Sequence, residues 1–333
     1  MSNKKITAVV LAAGKSKRTK TALPKVLLDL SGEPLIFHIL ESLQATPQVG
    51  RIVVVLGHKK ELIQKKINQH FKGISCVRQD RLNGTAKAVQ AAIKKGRMGQ
   101  QLLVLCADTP LISSSTLTNF AQQFQSKKLD ACLITAHFNE KNSYGRILRD
   151  EQGRIKDIIE KVVDKKPSEE PQEINSGIYC FEKKALEFAL SKIKRNPRKK
   201  EYFLTDAIKI LYQAQYRLGE FVIKDKQQIL GVNTQINLAR VRQVANRRRL
   251  QELMQQGVTI IDPRTTYVAR GVKFGNNCIV YPFTIIEKNA IIGNNCKMGP
   301  FAHLQENYCL EDNSQLSHTI GNNIIVRDKS LDS

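Results

Sequence analysis

From Phe274 onward an apolar residue returns at every sixth position: Phe274, Val280, Ile286, Ile292, Met298, Leu304, Leu310 and Leu316. In a chain that is 41% hydrophobic, eight successive hits would arise by chance in roughly one window per thousand. The recurrence is that of a hexapeptide repeat. It fits a left-handed parallel β-helix, in which each repeat forms one face of a triangular coil. Glycine follows the apolar position at Gly275, Gly293 and Gly299, and small residues often fall four positions after it. The register breaks after Leu316, and the I-G-N-N at Ile320–Asn323 restarts it out of phase. About three coils are available at three repeats per coil. So short a stack needs a helix, or another copy of itself, over its open ends.

The first two thirds of the chain read differently. Ile6–Leu11, Ile52–Leu56, Leu102–Leu105 and Cys132–Ala136 are short Val-, Ile- and Leu-rich runs without polar alternation, as expected of strands buried on both faces. Helical segments at Leu35–Leu43, Lys60–Phe71 and Thr85–Lys95 separate them. This alternation predicts a Rossmann-like α/β domain with a mainly parallel sheet. In such sheets ligands sit at the carboxyl ends of the strands, and both Gly14 and Asp108 follow strand ends. Between the two regions a basic helix is expected over about Thr234–Gln256, with Leu238, Val241, Val244 and Ala245 on its apolar side and Gly257 as its stop. The expected division is residues 1–233, a connector over 234–257, the β-helix over 258–326 and a tail over 327–333.

Charge and cysteine content narrow the function classes. The net charge is +23, from 53 Lys and Arg against 30 Asp and Glu. The cations are spread along the chain, with local clusters at Lys194–Lys200 and Arg247–Arg249, and no nucleic-acid-binding motif accompanies them. Small anionic substrates and a generally basic surface account for the charge, and no nucleic-acid partner is expected. Seven cysteines stand far apart without a C-x-x-C, which argues against a disulfide framework or zinc site and for a reducing compartment. No apolar run reaches the ~20 residues that span a bilayer. A cytoplasmic location without membrane insertion is expected.

The chemistry is concentrated in Val9–Lys25, V-V-L-A-A-G-K-S-K-R-T-K-T-A-L-P-K. A turn that leaves a buried strand through Gly14 can set backbone N–H groups against a phosphate, because glycine has no Cβ. Lys15, Lys17, Arg18 and Lys25 can then neutralise a polyanion. The segment resembles the signature loop of sugar-1-phosphate nucleotidyltransferases, L-A-A-G-x-G-T-R followed by P-K. The likeness is greatest to the uridyltransferase half of the bacterial bifunctional N-acetylglucosamine-1-phosphate uridyltransferase/glucosamine-1-phosphate acetyltransferases. Leu11, Ala12, Ala13, Gly14, Arg18, Pro24 and Lys25 match, while Ser16 and Lys17 replace the second glycine and the small hydroxyl residue.

Further segments follow in family order over about residues 6–235. The run L-L-V-L-C-A-D-T-P-L-I at Leu102–Ile112 resembles G-D-x-P-L, with Ala107 in place of the glycine, where its methyl is expected to crowd the ligand. Asp108 is retained, and the resemblance makes it a magnesium ligand. The segment Gln79–Ala88 resembles Q-x-x-x-x-G-T-x-x-A and implies base recognition by Gln79, Gly84 and Thr85; a Gln amide offers the donor and acceptor that a uracil edge requires. Tyr144-Gly145-Arg146, Glu160, Asn175 and the Glu201–Asp206 segment with Thr205 match sugar-side positions. Asn233, in G-V-N, matches the second magnesium ligand, and Mg²⁺ needs few protein oxygens beside phosphates and waters.

The resemblance thus implies Mg²⁺-dependent uridylyl transfer from UTP to N-acetylglucosamine 1-phosphate, with Arg18 and Lys25 stabilising charge and no general base. It also implies a homo-oligomer, a trimer, through the β-helix. The segment Gly299–Gln305 resembles G-P-F-A-R-L-R with His303 and Gln305 in place of both arginines, so no acetyltransferase activity is expected. Another sugar 1-phosphate, or a regulatory homologue that has lost catalysis, remain the competing readings.

Overall fold

The computed structural model describes residues 5–14, 17–138, 144–160 and 172–317. These divide into two compact units: residues up to Leu27 together with Leu35–Asn233, and Leu28–Pro34 together with the chain from Thr234.

The first unit is built on one sheet. Its main path runs Leu218–Val222, Ala131–Phe138, Gln172–Glu182, Gln101–Cys106, Ile6–Ala12, Val49–Leu56 and Ile74–Arg78. All of these strands run the same way except Gln172–Glu182, which is antiparallel to both neighbours. Arg146–Arg149 pairs with it at one end and with Ile155–Ile159 on its far side. The four strands expected from sequence are present, and three sit side by side at the centre. The antiparallel strand was hidden because its apolar residues are interrupted by Asn175, Ser176 and Gly177. At that point the register shifts and Gly177 takes a φ of 80°, a bulge that redirects the side chains around it.

Alternate residues of the central strand feed two apolar clusters. Ile6, Ala8, Val10 and Ala12 join one, with Ile36, Phe37, Ile39, Leu40 and Leu43 of the Leu35–Gln44 helix and Leu117, Phe120 and Phe124 of the Ser114–Ser126 helix. Val9 and Ala13 join the other, with Ala86, Val89 and Ala92 of the Thr85–Lys95 helix and Leu186, Ala189 and Leu190 of the Lys183–Lys192 helix. Helices thus cover both faces of the sheet, which is why its strands read as continuous apolar runs. Each fully buried Leu or Ile contributes about 1.5–3 kcal/mol.

The second unit opens with a small hairpin, Asp29–Leu30 against Glu33–Pro34, turning through Ser31 and Gly32 at φ 56° and 90°. The Gln235–Gln255 helix is closed at its start by a reciprocal box: Thr234 Oγ1 accepts from the Asn237 N–H, and Asn237 Oδ1 accepts from the Thr234 N–H, both at 3.1 Å. Its buried residues are Leu238, Val241, Leu250 and Leu253, whereas Val244 and Ala245 are only half-buried. The stripe therefore extends further toward the C-terminal end than the sequence pattern suggested.

Beyond Gly257 the chain winds through ten two-residue strands in three parallel stacks, each strand pairing with the one 18 residues on or nearly so. The coil begins earlier than the repeat read from Phe274, since Ile260 and Val268 are already buried. Inside it the large residues Val280, Ile286, Ile292, Met298 and Leu304 are layered with Cys278, Thr284, Ala290, Cys296 and Ala302, which stand four positions after Phe274, Val280, Ile286, Ile292 and Met298. Corners at Asn277, Asn295 and Asn313 have φ of 56°, 57° and 59°. Their amides form a ladder, Asn277 donating to Asn295 at 3.2 Å and Asn295 to Asn313 at 3.0 Å. Asparagine tolerates this left-handed backbone better than other non-glycine residues. Gly293 is required by stacking, because a Cβ there would lie 2.3 Å from Asp312 Oδ1. The expected restart at Ile320–Asn323 and the tail lie outside the described residues.

Candidate active site

At the carboxyl edge of the sheet, strand Ile6–Ala12 ends in Ala13 and Gly14, and two short 3-10 turns follow at Lys17–Thr19 and Lys25–Leu27. Lys15 and Ser16, and the side chain of Lys17, lie outside the described residues. Gly14 is exposed, and a Cβ there would meet nothing within 4 Å. The chain's own packing does not require a glycine at this point, which leaves the outer face of the turn open. Leu11 and Ala12 belong to the strand, with the Leu11 carbonyl accepting from the Ala107 N–H at 3.0 Å.

That bond places Asp108 beside the glycine turn. Lys25 Nζ donates to Asp108 Oδ2 at 2.6 Å and to Asn233 Oδ1 at 3.2 Å. Arg18 donates to the same Asn233 oxygen at 3.0 Å. Four side chains from three distant stretches of sequence therefore converge, and Asp108 and Asn233 both turn an oxygen to one positive charge. An amide and a carboxylate oxygen already gathered about a cation form a donor pair of the kind Mg²⁺ accepts. Two protein oxygens suffice for an ion that keeps waters and phosphate oxygens as its other ligands. Ala107 is 1% exposed, and its methyl packs in the apolar cluster. The expected crowding of the ligand is thus corrected: the methyl faces the core. Burial and the Asp108 charge push the Cys106 thiol up to about 12, so at neutral pH it stays protonated and is no nucleophile.

Asn233 is held in place by a residue of the Y-G-R motif. The Tyr144 hydroxyl donates to the Ile229 carbonyl at 3.0 Å and accepts from the Gly231 N–H at 3.2 Å, while the Val232 N–H donates to the Asp108 carbonyl at 2.8 Å. Gly145 is close-packed, with its carbonyl accepting from the Asn175 N–H at 2.9 Å. Asn175 itself is buried; its amide donates to the Tyr179 hydroxyl at 2.7 Å and accepts from the Gly177 N–H at 3.1 Å. Burial raises the Tyr179 pKa, with the Asn175 bond opposing it.

Gln79 is buried at the end of strand Ile74–Arg78, and its side-chain amide donates to the Gly84 carbonyl at 3.2 Å. Thr85 is the first residue of its helix, and its hydroxyl accepts from the Leu204 N–H at 2.9 Å. Gly84 has a φ of 115°, and a Cβ would sit 2.2 Å from the Tyr202 carbonyl oxygen. Its lack of a side chain thus serves the docking of the Glu201–Asp206 segment. Thr205 is buried with its hydroxyl unpartnered. Glu160 is exposed, yet its charge acts on Cys106, Tyr179 and Asp206. The Asp206 pKa is raised by burial, then by Asp157 and Glu160. Of the residues singled out in sequence, the structure brings Arg18, Lys25, Asp108 and Asn233 together and joins Gln79 to Gly84 and Thr85 to Leu204.

Two bracing positions were not anticipated. Lys59, at φ 51°, bonds through Nζ to the Ala22 carbonyl and ties down the basic loop. A Cβ on Gly57 would lie 2.6 Å from the Ala13 carbonyl. The Gly-His-Lys-Lys stretch directly after strand Val49–Leu56 is the signal that could have found them. Among the described residues no helix is long and apolar enough to cross a membrane.

Comparison with known proteins agrees with this geometry. Residues 7–234 match the family model described as nucleotidyl transferase, and residues 271–306 match the bacterial transferase hexapeptide model of six repeats. The chain is 37% identical over 283 residues to the Bifunctional protein GlmU of Alkaliphilus metalliredigens and 36% identical over 290 residues to that of Listeria monocytogenes. Each alignment covers 85% of this chain, and respectively 61% and 62% of the relative; the chain thus spans about three fifths of the length of the curated relatives it matches. Among solved structures, UDP-glucose pyrophosphorylase complexed with UDP-glucose superposes with a TM-score of 0.57 at 20% identity, covering 74% of this chain and 100% of that one. The inositol-1-phosphate CTP transferase from T. maritima gives 0.57 at 17% identity, covering 73% and 95%. These two share the fold. With its glycine turn, its Lys25–Asp108–Asn233 convergence and a family match over two thirds of its length, the chain belongs to the nucleotidyl transferase family.

Proposed function

We propose that the chain transfers a uridylyl group from UTP to N-acetylglucosamine 1-phosphate, giving UDP-N-acetylglucosamine and pyrophosphate. The observation that carries this reading is the meeting of Arg18, Lys25, Asp108 and Asn233 beside the open glycine turn. A phosphate oxygen of the sugar phosphate forms a bond to the α-phosphorus, and the bond from that phosphorus to the bridging oxygen of pyrophosphate breaks. The nucleophile is already ionised at neutral pH, so no side chain has to remove a proton. Catalysis then rests on alignment and charge neutralisation.

Arg18 and Lys25 oppose the charge that gathers on the α-phosphoryl group and the departing pyrophosphate. Asp108 and Asn233 would hold Mg²⁺, which when bound neutralises phosphate charge and orients the reacting groups. Gln79, Gly84 and Thr85 are assigned to the base, and Gly145, Glu160, Asn175 and Thr205 to the sugar. Leu11, Ala12, Ala13, Gly14 and Ala107 contribute backbone to the nucleotide side of the crevice. The hexapeptide repeats favour association, for which we propose a trimer, testable by light scattering of the full chain. We assign no acetyl transfer to the Gly299–Gln305 segment, where His303 bonds to Glu287 at 3.0 Å.

The test is pyrophosphate release from UTP and Mg²⁺ across a panel of sugar 1-phosphates. Asp108→Ala should lower turnover with N-acetylglucosamine 1-phosphate by about 10³-fold or more. Full Mg²⁺-dependent activity in that variant would remove the metal assignment. Preference for another sugar phosphate would relocate the specificity, and silence of the unaltered chain with every sugar phosphate would favour a regulatory homologue.

A further inference from the structure

We propose that the opposite, amino edge of the sheet carries a second anion site, built to take a phosphate-type dianion. A cavity of about 340 Å³ opens there, lined by Lys5, Ile6, Thr7, Arg51, Arg97 and Met98 with the backbones of Gly50 and Gly99. These residues stand at the beginnings of strands Ile6–Ala12 and Val49–Leu56 and just before Gln101–Cys106. Asp108 and Asn233 border the far end of the same strands, so the cavity is separate from the crevice described above.

Three features make this edge a site for an anion. Its charged lining is wholly cationic: Lys5, Arg51 and Arg97 with no Asp or Glu. Among the described residues none of the three enters an ion pair, whereas Arg149, Arg154 and Lys95 each have a carboxylate within 3 Å. Like charges gathered at one concavity repel, and a bound dianion relieves that repulsion while accepting charge-assisted hydrogen bonds. Second, Thr7 is 3% exposed, and its hydroxyl accepts from the Gly99 N–H at 3.0 Å, which leaves its own proton to donate. Third, Gly50 makes room for the Lys5 stem. A Cβ at Gly50 would lie 2.7 Å from Lys5 Cβ and 2.8 Å from its Cδ, so the lysine lies over the neighbouring strand beside Arg51. Met98, only partly buried, adds a short apolar surface that an organic phosphate ester can use and inorganic phosphate cannot.

Calorimetric titration of the full chain with inorganic phosphate and, separately, with glycerol phosphate tests the site. Arg51→Glu/Arg97→Glu should weaken binding of either probe about tenfold or more per guanidinium removed. Lys199→Glu/Lys200→Glu changes the net charge equally at an exposed loop and should weaken it less than about twofold. Tighter binding of the ester than of inorganic phosphate assigns the apolar surface to its organic part. Arg51→Gln/Arg97→Gln repeats the first change without charge reversal and should weaken binding in the same direction. Neither cavity variant should alter nucleotidyl transfer by more than about twofold. Equal weakening by the cavity and loop pairs, or binding lost in Lys25→Ala and kept in Arg51→Glu/Arg97→Glu, overturns the proposal. Because the readout is binding, it stands apart from whether the crevice uses UTP.

Discussion

Lys25 holds two oxygens at once, and the loop carrying one of them is braced by a phenol. Tyr144 spans the Ile229 carbonyl and the Gly231 N–H, so Tyr144→Phe should loosen Asn233 without touching the base-side residues. We expect kcat to fall about three- to tenfold and stability by about 1 kcal/mol, read from steady-state kinetics and urea unfolding. Gly84→Ala tests a different single-residue demand. The added Cβ would strike the Tyr202 backbone at a φ of 115°, and the expected loss is roughly 2–4 kcal/mol. A Gly84→Ala chain that unfolds like wild type would refute the docking described for the Glu201–Asp206 segment. At this scale the sequence was most legible where a residue's chemistry is unusual for its place, as with Asp108 after an apolar strand. It was least so where a residue works through its neighbours: Tyr144 read as a sugar contact, and nothing singled out Lys59.

Among the elements, the antiparallel strand Gln172–Glu182 depends on an ion pair at its edge. Arg149 donates to both Glu173 oxygens, at 2.9 and 2.8 Å. Burial works to raise the Glu173 pKa, but the Arg149 hydrogen bonds and charge outweigh it and the net shift is downward from 4.5. A carboxylate with a depressed folded-state pKa stabilises fully above its unfolded value, and that contribution drains away as pH falls through the folded value. Glu173→Gln should therefore cost about 1–3 kcal/mol at neutral pH and flatten the stability profile between about pH 5 and about pH 3, measured by denaturant unfolding. In the β-helix, Asn295 is both donor and acceptor in its ladder at φ 57°. Asn295→Ala should destabilise by about 2 kcal/mol, visible as a lower melting temperature. Periodicity revealed the elements with uniform surroundings: the double-covered strands and the coils. The reversed strand escaped because polar residues at its bulge broke the pattern, and the helix stripe ran on to Leu250 and Leu253 because a 3.6-residue period drifts along a long helix.

For the molecule entire, a net charge of +23 is the dominant long-range term. Self-repulsion of that size weakens as salt screens it, so raising sodium chloride from about 50 to about 300 mM should raise the melting temperature. A fall would mean that attractive pairs, not repulsion, dominate the surface. The change from α/β alternation to a six-residue period was plain in the sequence, and so was the order of the motifs. Their meeting was expected from the resemblance, but not from the residues themselves, since nothing local in positions 25, 108 and 233 encodes the distances between them.

The chain also leaves its first unit at Leu27, spends seven residues in the second and returns at Leu35, long before the final passage at Asn233. Within that second unit, Arg242 donates to the Asp29 carbonyl at 3.1 and 2.9 Å, and the Arg270 N–H donates to the Ser31 carbonyl at 2.9 Å. The second unit is therefore assembled from two separate stretches of the chain. A hybrid that takes its repeats from a homologue by one splice after Asn233 inherits a mismatched loop at 28–34. Such modules can be exchanged only by carrying that loop along with its distant host.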